Sequence, residues 1–177
     1  MYFRQFEKGY YDLKGDGKKK LVTDLMTRVK VREKILDEAS LYDKYEVPSG
    51  ERPEHTAFKH FGSSQYHWVV LLTNNITDAL YDWPLSEQDF ETFIRDKYSN
   101  PDAIHHYEVT TSSGKTTGSG PDDYSHKIEV NSDATGAQSV SNREYEQRIQ
   151  DSKRSINLLN PAYLTTFIEE FNNLVRN

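Results

Sequence analysis

The residues with most chemistry to offer are His105, His106 and Glu108, in the run Ile104-His105-His106-Tyr107-Glu108-Val109. Imidazole and carboxylate both suit zinc. Adjacent residues of a strand point to opposite faces, which leaves His106 and Glu108 together, two ligands where a metal site needs three or four. His55, His60 and His67 lie five and seven residues apart and include no pair at i and i+4, the spacing that puts two imidazoles on one helix face. They read as surface or packing histidines. Glu51, Glu54, Asp78 and Asp82 supply carboxylates of the kind glycosidases use, but abundance alone selects no acid and nucleophile. There is no nucleophile elbow, dinucleotide glycine motif or HExxH. Lys14-Gly15-Asp16-Gly17-Lys18-Lys19 has neither P-loop spacing nor the serial carboxylates of a calcium loop, and reads as a turn. Trp68 and Trp83 could stack on a sugar, yet Trp68 sits in the most apolar run of the chain and is assigned to the core. The expectation is no catalytic residue, no metal and no cofactor.

The elements that would hold these residues are organised around Tyr45 to Leu85. Leu41 to Val47 reads as a strand stopped by Pro48-Ser49-Gly50. Pro53 suits a first helical position, Glu54 the positive end of the helix dipole, Ala57, Phe58 and Phe61 an apolar face, and Gly62 the stop. Ser63 or Ser64 caps a second helix over Tyr66 to Leu72, apolar enough to be buried on more than one side, which ends at Asn74-Asn75. Trp83-Pro84-Leu85 is then expected to return as a strand beside the first. Tyr45, Val47, Phe58, Phe61, Trp68, Leu71, Leu72 and Trp83 form the expected core.

The flanks are less regular. Residues 1–20 mix aromatics with glycines and suit an arm or a hairpin, of which the extended arm is expected, and Leu25, Met26, Val29 and Leu36 suggest a short helix after Thr23, although Val29-Lys30-Val31 alternates like a strand. Ser86-Glu87-Gln88-Asp89 resembles a capping box and opens a helix carrying Phe90, Phe93, Ile94 and Tyr98. A strand over 104–109 pairs with one over 126–130, and the Ser, Thr and Gly-rich residues 111–125 between them read as a mobile loop. Ser141-Asn142-Arg143-Glu144 caps a charged helix to about Lys153 with a mostly solvated exposed face, Ile156 to Leu159 is a short strand, and Pro161 starts the last helix. Its Tyr163, Leu164, Phe167, Ile168, Phe171, Leu174 and Val175 recur at helical spacing. The expected class is α+β, divided as 1–40 arm and short helix, 41–86 central unit, 87–110 helix and strand, 111–140 hairpin or loop insertion, and 141–177 helical region.

The strand, helix, helix, strand order resembles a lysin-motif (LysM) unit. Gly50-Glu51-Arg52-Pro53-Glu54, Tyr66-x-Trp68-Val69-Val70-Leu71-Leu72-x-Asn74 and Trp83-Pro84-Leu85 together resemble the baseplate wedge subunit family of contractile-tailed phages, wedge protein fifty-three of the T-even type. The similarity runs from Asp24 to about Tyr107 and from Asn142 to Val175. It implies a structural role in the virion tail, joining neighbouring wedges, with assembly in the host cytoplasm and with other wedge and hub-proximal proteins as partners. A LysM module binding peptidoglycan is the competing reading, although such modules usually occur as repeats beside a catalytic domain.

Composition agrees with an assembly subunit. Twelve Tyr, eight Phe and two Trp among 177 residues place burial on aromatic groups, which are enriched at interface cores. A net charge of −6 opposes general nucleic-acid binding, no apolar run reaches membrane-spanning length, and the lack of cysteine excludes disulfides. The expected interface residues are Tyr2, Phe3 and Phe6 in the arm, and Phe167, Phe171 and Leu174 on the last helix.

Overall fold

The structure, a computed structural model, describes residues 2–26, 29–31, 35, 38–112, 114 and 120–175. The chain forms two compact units, one from residues 1–84 with 153–177 and the other from residues 85–152. The class is α+β, with several short sheets and helices.

In the first unit, β1 (Lys8–Tyr11) and β2 (Lys20–Thr23) form an antiparallel hairpin in place of the expected extended arm. The turn that permits it is built by Asp12, whose carboxylate accepts hydrogen bonds from the backbone N–H groups of Lys14, Gly15 and Gly17. Those bonds hold its pKa below the ordinary carboxylate value. Residues 24–26 are not helical, and Leu25 and Met26 are exposed. The rest of the suggested helix, including Leu36, lies mostly outside the described residues.

The central elements follow the sequence closely until the last. β3 (Tyr42–Glu46) leads to α1 (Pro53–Phe61), which has Pro53 and Glu54 in its first turn and Gly62 at φ 76° as its stop. That left-handed conformation costs glycine nothing. Ser63 caps a single 3-10 turn, Ser64–Tyr66, that runs into α2 (His67–Thr73). The final strand departs from expectation. Trp83-Pro84-Leu85 forms no strand, and β3 instead pairs antiparallel with β7 (Ser155–Leu159), Tyr45 opposite Ile156. Pro84 cannot donate to a ladder, and Trp83 is spent differently: its ring is buried and its indole N–H donates to the Glu51 carbonyl at 2.7 Å.

Two apolar clusters fill this unit. Val47, Ala57, Val70, Trp83, Ile156 and Leu158 make one. Phe6, Trp68, Val69, Leu159, Phe171 and Val175 make the other, with Tyr2, Phe61, Leu72, Leu164 and Phe167 half-buried around it. Phe58, expected in the core, is 62% exposed. Ala57 and Phe61 lie on the buried side of α1, and Phe58, one position beyond Ala57, is rotated about 100° from it on a helix of 3.6 residues per turn. The last helix, α5 (Leu164–Val175), is preceded by a 3-10 turn, Pro161–Tyr163, capped by Asn160.

Asn74 ties the end of α2 to β7. Its amide donates to the carbonyls of Val70 and Asn157, and its carbonyl accepts from the Asn157 N–H, each at 2.8 Å. Asn75, at φ 54°, turns the chain out of the helix, a conformation asparagine tolerates better than most residues. Asn74→Ala removes all three bonds and is expected to cost about 1–3 kcal/mol, read as a lower urea midpoint at unchanged m-value.

The second unit contains α3 (Glu87–Lys97), a three-stranded antiparallel sheet in the order β5-β4-β6, and α4 (Asn142–Arg154), whose last two residues belong to the first unit. β4 is Ile104–Thr111, β5 is His126–Val130 and β6 is Gln138–Ser141, a strand the polar sequence did not announce. Ser86 and Ser141 cap α3 and α4 as the sequence indicates, accepting from the N–H groups of Asp89 and Glu144. The expected loop at 111–125 lies partly outside the described residues.

Candidate assembly surfaces

Two of the carboxylates singled out in the sequence, Glu51 and Glu108, are engaged in holding elements together. Glu51, 8% exposed, accepts from the hydroxyls of Tyr45 and Thr56 and from Lys59. Burial by itself would raise its pKa, but these bonds, led by Lys59, hold it below the ordinary value. In the second unit, Glu146 is 3% exposed and accepts from Lys97 Nζ at 2.6 Å and the Tyr98 hydroxyl at 2.8 Å, joining α4 to α3. Gln150 is also buried, so α4 has a packed polar face besides the exposed face that the sequence reads as solvated. The signal was weak because a buried Glu looks like a surface Glu until its partners are known.

Glu108 is 4% exposed and is the centre of an ionic group that links β4, β5 and α4. Arg148 donates to both of its oxygens, at 2.7 and 2.9 Å, and Lys127 Nζ donates to Oε1 at 2.6 Å. The Arg148 bonds depress the Glu108 pKa to about 2, and the carboxylate in turn raises that of the guanidinium. His106 Nε2 lies 4.0 Å from Glu108. The expectation that His105 and His106 face opposite ways is corrected: the pairing of β4 with β6 shifts register between Ile104 and His106. Their Nδ1 atoms are 2.9 Å apart, and His105 stacks on Tyr145 with ring centroids 4.0 Å apart. A bulge of this kind breaks strict alternation and re-aims a side chain. Among the described residues, no group of three or more His, Asp or Glu is placed to hold a metal.

The six expected interface residues separate into two sets. Phe6 and Phe171 are 6% and 2% exposed and belong to the core, with ring centroids 6.1 Å apart. Tyr2 packs on Trp68 and Phe171, with ring centroids at 5.6 and 5.4 Å, and Phe167 packs on Trp68 at 6.3 Å. These aromatics cluster because Trp68 on α2 and the inner side of α5 meet there, so they cover one another first. Phe3 and Leu174 remain exposed, both at 58%.

The N-terminal arm displays more apolar surface than the three residues singled out there. Tyr10, Tyr11, Leu13, Leu21 and Val22 on and around the β1–β2 hairpin are all exposed. In the second unit, the pairings Tyr107 with Val130 and Val109 with Ile128 put apolar side chains on the sheet face opposite Glu108, where Ile128 is also exposed. The apolar residues of these stretches were legible in the sequence, but which of them the protein covers was not.

The fold thus combines aromatic cores, ionic staples between elements and apolar groups displayed on the surface. A comparison with protein families supplies the family. The model described as Base plate wedge protein 53 matches residues 1–112, and the chain belongs to that family. No curated protein matches the chain significantly.

Proposed function

We propose that this chain is a structural subunit of a contractile phage tail baseplate that joins neighbouring wedges during assembly. The family match over residues 1–112 carries this reading. Exposed Phe3 and Leu174 and the exposed apolar hairpin supply the physical means, since apolar groups left uncovered in a monomer commonly mark interaction sites. Its place is then the virion baseplate, its partners other wedge and hub-proximal tail proteins, and its assembly site the host cytoplasm. Within the first unit we assign β3, α1, α2 and β7 to a LysM-like βααβ arrangement interrupted by residues 85–152. The antiparallel pairing of β3 with β7 supports that assignment.

The same arrangement favours peptidoglycan binding as the second reading. Against it, Trp83, the aromatic suggested for sugar stacking, is 5% exposed with its indole N–H already bonded. The two are separated by coexpressing the chain with the other wedge proteins of its phage and, in parallel, incubating it with insoluble peptidoglycan. Joined wedges should form only when the chain is present, and Phe3→Ser should reduce joining while leaving thermal stability within about 0.5 kcal/mol of wild type. Wedges that join equally well without the chain would sink the structural reading, and saturable retention on peptidoglycan would favour the second.

A further inference from the structure

We propose that His105 and His106 form a proton-operated latch between β4 and α4, which stays closed when the two rings share one added proton and opens when they take a second. The inference concerns the second unit alone and does not rest on wedge joining.

The latch depends on how the two rings meet. Their Nδ1 atoms are 2.9 Å apart and their centroids 5.1 Å apart, with the ring planes at 84°. A centroid separation that long, for nitrogens that close, puts both nitrogens between the rings and pointing at each other. Two lone pairs aimed head-on repel, and so do two N–H groups, so this contact requires one donor and one acceptor. Head-on geometry also separates the pair from a metal chelate, in which both lone pairs would turn toward a third point. The register shift between Ile104 and His106 is what lets neighbouring rings meet at all. Tyr145 of α4 then holds His105 by stacking, with 4.0 Å between centroids and 10° between planes, while the His106 ring stands at 87° to it.

Counting protons gives the response. His106 Nε2 lies 4.0 Å from Glu108 Oε2, a position that suits an N–H. The neutral pair therefore keeps one proton on His106 Nε2 and one on His105 Nδ1, donated to His106 Nδ1. His105 is exposed and receives an added proton at its bare Nε2. The pair then has an N–H at each Nε2 and one proton between the Nδ1 atoms, a positive charge shared by two rings with the contact intact. A second added proton has only an Nδ1 to go to. Both Nδ1 atoms would then be donors 2.9 Å apart, and the rings must part.

The surrounding charges agree with one cation and oppose two. β4 supplies Glu108, β5 supplies Lys127 and, opposite Glu108 in register, Glu129, and α4 supplies Glu144 and Arg148 beside Tyr145. β6 has no titratable residue, and Asp102, ahead of β4, is paired with Arg143 of α4. Three carboxylates, Glu108, Glu129 and Glu144, against two cations, Lys127 and Arg148, leave a charge of −1. One positive charge on the histidines balances it, and a second does not. The opening is local. Arg148 still binds Glu108, whose pKa of about 2 keeps it ionised throughout the range in which histidine titrates, so α4 stays on β4 while the rings separate.

The test is nuclear magnetic resonance of the full wild-type chain, with nitrogen-labelled histidine rings, from about pH 8 to about pH 4. His105→Gln and His106→Gln serve only to assign the two rings among the six histidines. At the alkaline end, His105 should carry its proton on Nδ1 and His106 on Nε2. On acidification the pair should bind protons in two steps at least about one pH unit apart, as strongly interacting sites do. The Tyr145 ring resonances should move chiefly with the second step, when His105 leaves its stack, and backbone amide dispersion should persist through both. Two rings that both carry Nε2–H at the alkaline end would overturn the proposal. So would one step alone down to about pH 4, Tyr145 resonances that move only with the first step, or loss of amide dispersion at the second, which would mean unfolding instead of a latch. None of these outcomes alters the coexpression test of wedge joining.

Discussion

Trp68→Ala is expected to lower the unfolding free energy of the first unit by about 3–5 kcal/mol, the range for truncating a large buried aromatic. Trp68 is 4% exposed. Its ring contacts Phe171, Phe167 and Tyr2 at centroid distances of 4.7, 6.3 and 5.6 Å, so removing it opens a cavity among three other aromatics. Those groups come from the N-terminal turn and α5, which limits how far the site can collapse. Phe58→Ala is the control: the sequence places it in the same core, but its exposure predicts a change within about 0.5 kcal/mol. Urea denaturation followed by near-UV circular dichroism reads both. Equal losses for the two variants would show that exposure is a poor guide here, and a wild-type midpoint for Trp68→Ala would remove Trp68 from the core.

Arg148→Ala should have the largest effect in the second unit, about 2–3 kcal/mol. Removing one partner of a buried carboxylate leaves charge without compensation, but the remaining Lys127 bond and the partial exposure of Arg148 reduce that cost. The same group sets an acid response. The Glu108 pKa is about 2 in the folded protein against an ordinary 4.5, so its stabilisation is complete above about pH 4.5 and is lost as pH falls toward 2. Wild type should therefore lose stability over that window, and Glu108→Gln, already lacking the charge, should lose less. Parallel pH profiles of the two proteins would exclude Glu108 as the source.

Much of the local structure was written in short-range signals. Pro53, Glu54 and Gly62 bound α1; Ser86 and Ser141 begin α3 and α4; Asn160 and Pro161 open the last helical segment. Each acts through backbone groups within a few residues, so the sequence alone determines it. The family was legible for the same reason, in the runs around Gly50, Trp68 and Trp83. What only the tertiary structure decided is pairing across distance. β3 pairs with Ser155–Leu159 rather than with Trp83-Pro84-Leu85, because β7 offers an uninterrupted row of donors and acceptors while Pro84 breaks one and Trp83 is anchored on Glu51. Burial followed that choice. The aromatic stripe of α5 closed over Trp68 and took Phe6 and Tyr2 with it, while the hairpin stays among the apolar surfaces left uncovered in the described residues. Hydrophobic patterning states that a side chain seeks cover, and only the assembled fold determines which ones the chain itself has enough surface to hide.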